Sequence, residues 1–221
     1  MSTEKALEIN EDILNGLFYA SHCFEGKLIL QFTNESLAEN SPRFKAVDSL
    51  TLISIEHAAS LRFLIAKANC CTSSFALFRL QYEALVKALW SFYMATDEHL
   101  DLIVGDLSTE RADENGKKLP PISKMLKQLE EANTPAHETI LQLIQFKDTS
   151  WNALNSFVHS GLHAVKRNMN GYPKELIFSV VRQSNNLMYI AAYLLAILSG
   201  SEEALEHVSL TRKTFIDCMQ I

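Results

Sequence analysis

One histidine, one asparagine and one arginine set the chemical possibilities of this chain. In the segment Trp151-Asn152-Ala153-Leu154-Asn155-Ser156-Phe157-Val158-His159, the polar residues Asp148, Asn152, Asn155 and His159 recur at spacings of four, three and four. That spacing sets them on one face of a helix. Trp151, Leu154 and Val158 take the neighbouring face, where they would anchor the helix to a core. A polar strip beside an apolar one, ending in His, can line a cleft. Imidazole titrates near neutrality, so His159 could move a proton or bind an anion. Positions 149–174 hold no Asp or Glu but do hold His159, His163, Lys166, Arg167 and Lys174. In a chain of net charge −6 this is a local cationic island suited to phosphate. The plain alternative is a capping histidine at a helix end with solvated basic neighbours. The spacing leaves both open.

A second group lies upstream. Arg79, Glu83 and Lys87 follow at i,i+4 on an otherwise apolar helix. Burying a charge without a partner is costly, so these residues must pair, snorkel or line a cavity. Arg79 and Glu83 are expected to be paired and mostly buried. The structural alternative has Glu83 bridging Arg79 and Lys87 on a partly exposed stripe. Arg182, Asn186, Tyr189 and Tyr193 form a polar stripe that could meet the Asn155–His159 face or a subunit partner. His57 falls in an apolar seam and reads as a core histidine with a satisfied hydrogen bond. The His159–His163 spacing could seat zinc, but Gly161 intervenes and no third ligand is evident, so no metal is expected. No glycine-rich phosphate loop, no Gly-x-Ser-x-Gly and no Glu-x-x-His pair occurs. A P-loop enzyme, a serine hydrolase of that type and a ferritin-like di-iron centre are therefore not expected.

The run Leu154-Asn155-Ser156-Phe157-Val158-His159 resembles the motif of the HEPN superfamily: Arg, then Asn or Asp, three residues, then His, near the end of a late helix. Asn155 and His159 match, and Leu154 stands where the family has Arg. Arg79-Leu80-Gln81-Tyr82-Glu83 likewise resembles an Arg-x-x-x-Glu pattern of uncharacterised bacterial helical proteins related to HEPN domains. The resemblance implies a small helical bundle, and many such bundles are metal-independent RNases of toxin and phage-defence systems. In the family, Arg holds the scissile phosphate and His transfers the proton. Carried over, it implies His159 in proton transfer with Asn155 beside it. Arg79 would serve on the phosphate in place of the missing arginine, with Arg182 or Arg167 as substitutes. Glu83, Arg182, Tyr189 and Arg167 are the candidate substrate contacts. RNA or a nucleotide as partner, a homodimer in the cytoplasm, no cofactor and no membrane complete the expectation. Its rival is a non-catalytic nucleotide- or protein-binding or regulatory module, which Leu154 favours.

The elements that must position these residues are helical. Only 7 Gly and 5 Pro occur among 221 residues, too few for the turns of a sheet protein of this size. The 48% apolar share suits a folded domain. The four Cys, at 23, 70, 71 and 218, form no CxxC pair and read as reduced thiols. No signal peptide is read at the polar start. The apolar run 187–198, about 12 residues, is short of the ~20 a membrane span needs and reads as a buried helix. Apolar periodicity predicts helices over about 3–31 (capped by Ser2 or Thr3), 42–68, 73–95, 122–132, 135–160 and 173–199. A last one follows Ser201. The second has a seam of Val47, Leu50, Ser54, His57, Leu61 and Leu64, and the third is apolar nearly all round. The stretch 105–121 is a polar loop. The sum is an all-α antiparallel bundle of about seven helices in one domain, 1–221.

Overall fold

The computed structural model describes residues 8–32, 36–106 and 119–220. Among them every regular element is helical: α1 (Glu11–Phe32), α2 (Pro42–Ala68), α3 (Cys71–Tyr93), α4 (Asp97–Val104), α5 (Ile122–Glu131), α6 (His137–Val158), α7 (Leu162–Asn170), α8 (Lys174–Ser199) and α9 (Glu202–Thr214), closed by a 3-10 turn (Ile216–Cys218). The all-α expectation holds, with nine α-helices among the described residues rather than seven. The additional ones are α4 and α7. Helix α4 has eight residues, and its capping box joins Thr96 to His99, where the usual signature has Glu or Gln. Helix α7 follows Ser160, whose φ of 53° turns the chain in what reads as a solvated basic run.

The expected cap at Ser2 or Thr3 lies outside the described residues, as do positions 107–118 of the polar loop. Residues 8–10 are not helical. Asn10 Oδ1 accepts a hydrogen bond from the Ile13 amide at 2.9 Å, so α1 starts at Glu11, later than the expected start near Thr3. Helix α2 begins as read: Ser41 Oγ accepts from the Phe44 amide, and Pro42 sits in the first turn. Its buried line is Val47, Thr51, Ser54, Ala58, Leu61 and Ile65. The expected seam is thus rotated, and Leu50, His57 and Leu64 are half-buried flanks. The small residues Thr51, Ser54 and Ala58 let α2 and α3 approach closely. Larger side chains at those positions would hold the helices apart.

Helix α3 is the axis, packed by α2, α5, α6, α7 and α8. The two residues Asn69 and Cys70 join α2 to α3 as an antiparallel hairpin. Arg43 donates to the carbonyls of Ser91 (2.5 Å), Phe92 (3.2 Å) and Ala95 (2.7 Å), which satisfies the end of α3. Ser54, Gln81 and Ser184 link α2, α3 and α8 through buried hydrogen bonds. Helix α8 ends at Gly200, whose φ of 68° is the left-handed cap glycine adopts freely. Ser201 then caps α9.

Candidate functional site

Aromatic contacts clamp α6 onto α3. Phe75 meets Phe157 with ring centroids 5.0 Å apart, Phe78 meets Phe146 at 5.3 Å, and the Tyr82 hydroxyl donates to the Leu143 carbonyl at 2.8 Å. Burial pushes the Tyr82 phenol well above its ordinary pKa, so it stays a neutral donor. Tyr172 packs on Phe75 at 5.2 Å and ties in the chain after α7. These contacts fix which face of α6 looks at α3.

Arg79 reaches out from α3 across that contact. Its Nε donates to Glu83 Oε1 at 2.8 Å, and its Nη1 donates to Asn155 Oδ1 on α6. The guanidinium carbon lies 4.4 Å from the centroid of the Trp151 ring, within cation–π range. The Arg79 and Glu83 side chains are 13% and 18% exposed. The expected pair is therefore present and shielded, though not sealed. Lys87 is half-buried and is not part of the ion pair. Of the five N–H donors of a guanidinium, two are engaged among the described residues, which leaves the Nη2 pair and one Nη1 proton.

Leu154 is 5% exposed and belongs to the core. Asn155, its neighbour, is exposed. His159 is exposed and stands one turn beyond Asn155, at the C-cap of α6, where its amide donates to the Asn155 carbonyl at 3.1 Å. The chain turns at Ser160, so His159 and His163 do not lie on one helix. Instead, Ser156 Oγ accepts from the His163 amide at 2.9 Å and caps α7 from the preceding helix. Sequence reasoning found Arg79, Glu83 and Asn155, which are joined by hydrogen bonds, and His159, which stands one turn beyond Asn155. It missed Trp151, whose ring reads as a core anchor but also seats the arginine.

The other candidates lie elsewhere. Arg167 lines a cavity of about 510 Å³ with Cys70, Cys71, Thr72 and Tyr172. This is at the start of α3, ~12 Å along the axis from Arg79 at 1.5 Å per residue. Lys174 pairs with Glu11 at 2.9 Å. Arg182 stacks on Phe178 at 5.4 Å, and its buried Nε has no partner among the described residues. Tyr189 lines a larger cavity between α6 and α8. Asn186, Tyr189 and Tyr193 of the polar stripe thus line a groove with the 139–150 portion of α6 rather than with the Asn155–His159 face, and Arg182 is not among its lining residues.

A family model matches residues 51–221, which include every residue of the Arg79 cluster. The chain belongs to this family of unknown function, DUF6988. No curated protein and no solved structure matches it. The DUF6988 match leaves out α1 and the first turns of α2.

Proposed function

We propose that the Arg79–Asn155–His159 edge cleaves RNA without a metal, as a HEPN-like RNase of the toxin or phage-defence type. The observation that carries this reading is a shielded cation on α3 delivered to Asn155, one turn from the exposed imidazole of His159. The position matching the HEPN motif's arginine is filled by a core leucine, and Arg79 supplies the cation from the neighbouring helix instead. In the reaction, the ribose 2′-hydroxyl attacks the adjacent phosphorus and the P–O5′ bond breaks. The products are a 2′,3′-cyclic phosphate and a free 5′-hydroxyl. Neutral His159 takes the 2′-hydroxyl proton, and the imidazolium returns a proton to the leaving oxygen. The free donors of Arg79 stabilise the charge on the pentacoordinate phosphorus. Glu83 and Trp151 hold the guanidinium, and Asn155 sets its direction.

The test is incubation of the full chain with mixed RNA and with the same sequences as DNA, with and without EDTA. RNA cleavage to cyclic-phosphate ends is expected, unaffected by chelator, with DNA inert. His159→Ala and Arg79→Ala should each lower the rate by about 10²–10⁴. Cleavage unchanged in His159→Ala sinks the assignment.

A second reading is favoured by the Glu83 carboxylate, which neutralises Arg79. The cluster would then be a fixed polar contact in a non-catalytic nucleotide- or protein-binding module. Wild-type chain that cleaves none of the RNAs supports it.

A further inference from the structure

Helices α6 and α8 are each held to α3, and between them runs a groove of about 870 Å³ that also borders the C-terminal residues. It lies on the side of α6 opposite Trp151 and Asn155, as the 3.6-residue period places Gln142 and Phe146. It is therefore independent of the cluster around Arg79. The floor is apolar and buried at Leu143, Leu187 and Met219. The walls carry neutral amides, Gln142 and Gln145 on α6 facing Gln183 and Asn186 on α8. Among the described residues Arg212 is the one charged residue of the lining, and no carboxylate side chain is among them, in a chain of net charge −6.

We propose that this groove binds an extended peptide segment whose carboxylate, from a C-terminus or an acidic side chain, pairs with Arg212. The amides decide the class. An extended backbone offers an N–H and a C=O at every residue, and both need partners when they leave water. Side-chain amides are the neutral groups that supply a donor and an acceptor together. The Gln183 nitrogen donates to Ser179 Oγ at 3.0 Å and the Asn186 nitrogen to the Gln220 carbonyl at 3.0 Å. Among the described residues neither amide oxygen is engaged, so each can accept from a peptide N–H. The length suits a short segment. Thr139 to Ser150 on α6 spans ~16 Å at 1.5 Å per residue, about five extended residues at ~3.3 Å each. The volume also falls within the roughly 300–1,000 Å³ of ordinary ligand sites.

The same residues argue against nucleic acid. Binding a phosphate backbone takes several cations, and here there is one. Base stacking needs free ring faces. The guanidinium of Arg212 already covers Tyr189 at 4.9 Å, and Tyr193 packs against Tyr189 at 6.0 Å.

The experiment probes an array of random octapeptides, each with a free and an amidated C-terminus, using fluorescently labelled full chain. The strongest binder is then titrated by anisotropy. Peptides bearing a carboxylate should bind. Arg212→Gln, a change at an exposed residue, should weaken them by about tenfold or more, as should Gln145→Ala combined with Asn186→Ala. Thr149→Trp, which fills the groove, should abolish binding while circular dichroism stays that of the wild type. Arg79→Ala and His159→Ala should leave binding unchanged, so failure here is separable from failure of the RNase reading. The proposal is overturned if no octapeptide binds above the Thr149→Trp background, or if Arg212→Gln binds as tightly as wild type. Displacement of the peptide by an RNA oligomer at similar concentration would replace peptide with nucleic acid. A wild-type dimer that Thr149→Trp splits in sedimentation would make a second copy the occupant.

Discussion

Arg79 is held by a carboxylate, an amide oxygen and an indole face, and each contact asks for something different. Charge alone would satisfy Glu83. Only the planar fork can donate to Glu83 and Asn155 together while stacking on Trp151. Arg79→Lys is therefore expected to keep the fold but lower RNA cleavage by about 10²-fold. A rate within threefold of wild type would show that a point charge suffices. The sequence makes the Arg79–Glu83 pair legible because a cation on so apolar a helix requires a partner. It does not reveal Trp151, since an indole on a helix reads equally as core. His57 shows the opposite case. Its seam position suggests a core residue, yet it is half-buried, and burial lowers its pKa from 6.5 against a smaller rise from Glu56. The folded chain thus favours neutral imidazole. Its stability is undiminished above pH 6.5 and falls as the pH drops below that value, until the folded imidazole protonates too. His57→Gln should remove that decline. Urea melts at pH about 7.5 and about 5.5 check the sign, and a wild-type stability that rises toward acid relative to the variant would contradict it.

The long helices were readable because their apolar periods run for many turns, and helix ends carry recognisable signals at Pro42, Gly200 and Ser201. The two that were not readable are short and capped in ways a local pattern does not register. Helix α4 is capped by a His99 ring. Helix α7 follows Gly161, which offers no side-chain cap, and takes Ser156 Oγ from α6 instead. That borrowed cap bears on the site, because the turn between α6 and α7 presents His159. Ser156→Ala should cost about 0.5–2 kcal/mol, the usual price of a lost cap. It should also speed hydrogen exchange at the His163 amide. Gly161 leaves no slack here, since a Cβ on it would sit 2.7 Å from Ser156 Oγ. If exchange at His163 is the same in Ser156→Ala and wild type, the serine is not what starts α7. The α6–α8 groove escaped sequence reading for a related reason. Its amides and Arg212 come from separate elements, and none has a charge or spacing that marks it alone.

Across the whole molecule, one buried network ties the ends of the chain to the middle. Arg62 on α2 is 5% exposed. Its Nη2 lies 2.5 Å from Glu25 Oε2 on α1, and its Nη1 donates to Asn185 Oδ1 on α8 at 3.4 Å. The Asn185 amide in turn donates to Ser21 Oγ at 2.8 Å and to the Cys218 carbonyl at 2.7 Å. Burial raises the Cys218 thiol to a pKa of about 11, with Arg62 opposing, so the thiol is neutral and adds no charge to the cluster. Segments on α1 and α8 thus meet the cation of α2, and Asn185 extends the network to the Cys218 carbonyl. Its counter-charge, Glu25, lies outside the 51–221 stretch that defines the family match, so α1 completes the electrostatics of the matched part. A buried ion pair is weak evidence of net stabilisation, because desolvation offsets the attraction, but removing one partner strands the other. Glu25→Ala should therefore destabilise by about 3–5 kcal/mol in urea titration. Glu25→Leu with Arg62→Met, which removes both charges and keeps most of the volume, should recover the larger part of that loss. A Glu25→Ala cost below about 1 kcal/mol would place the pair with exposed surface bridges. A double variant no more stable than Glu25→Ala would show that Arg62 acts through its bonds to Asn185 and Met188 rather than through its charge.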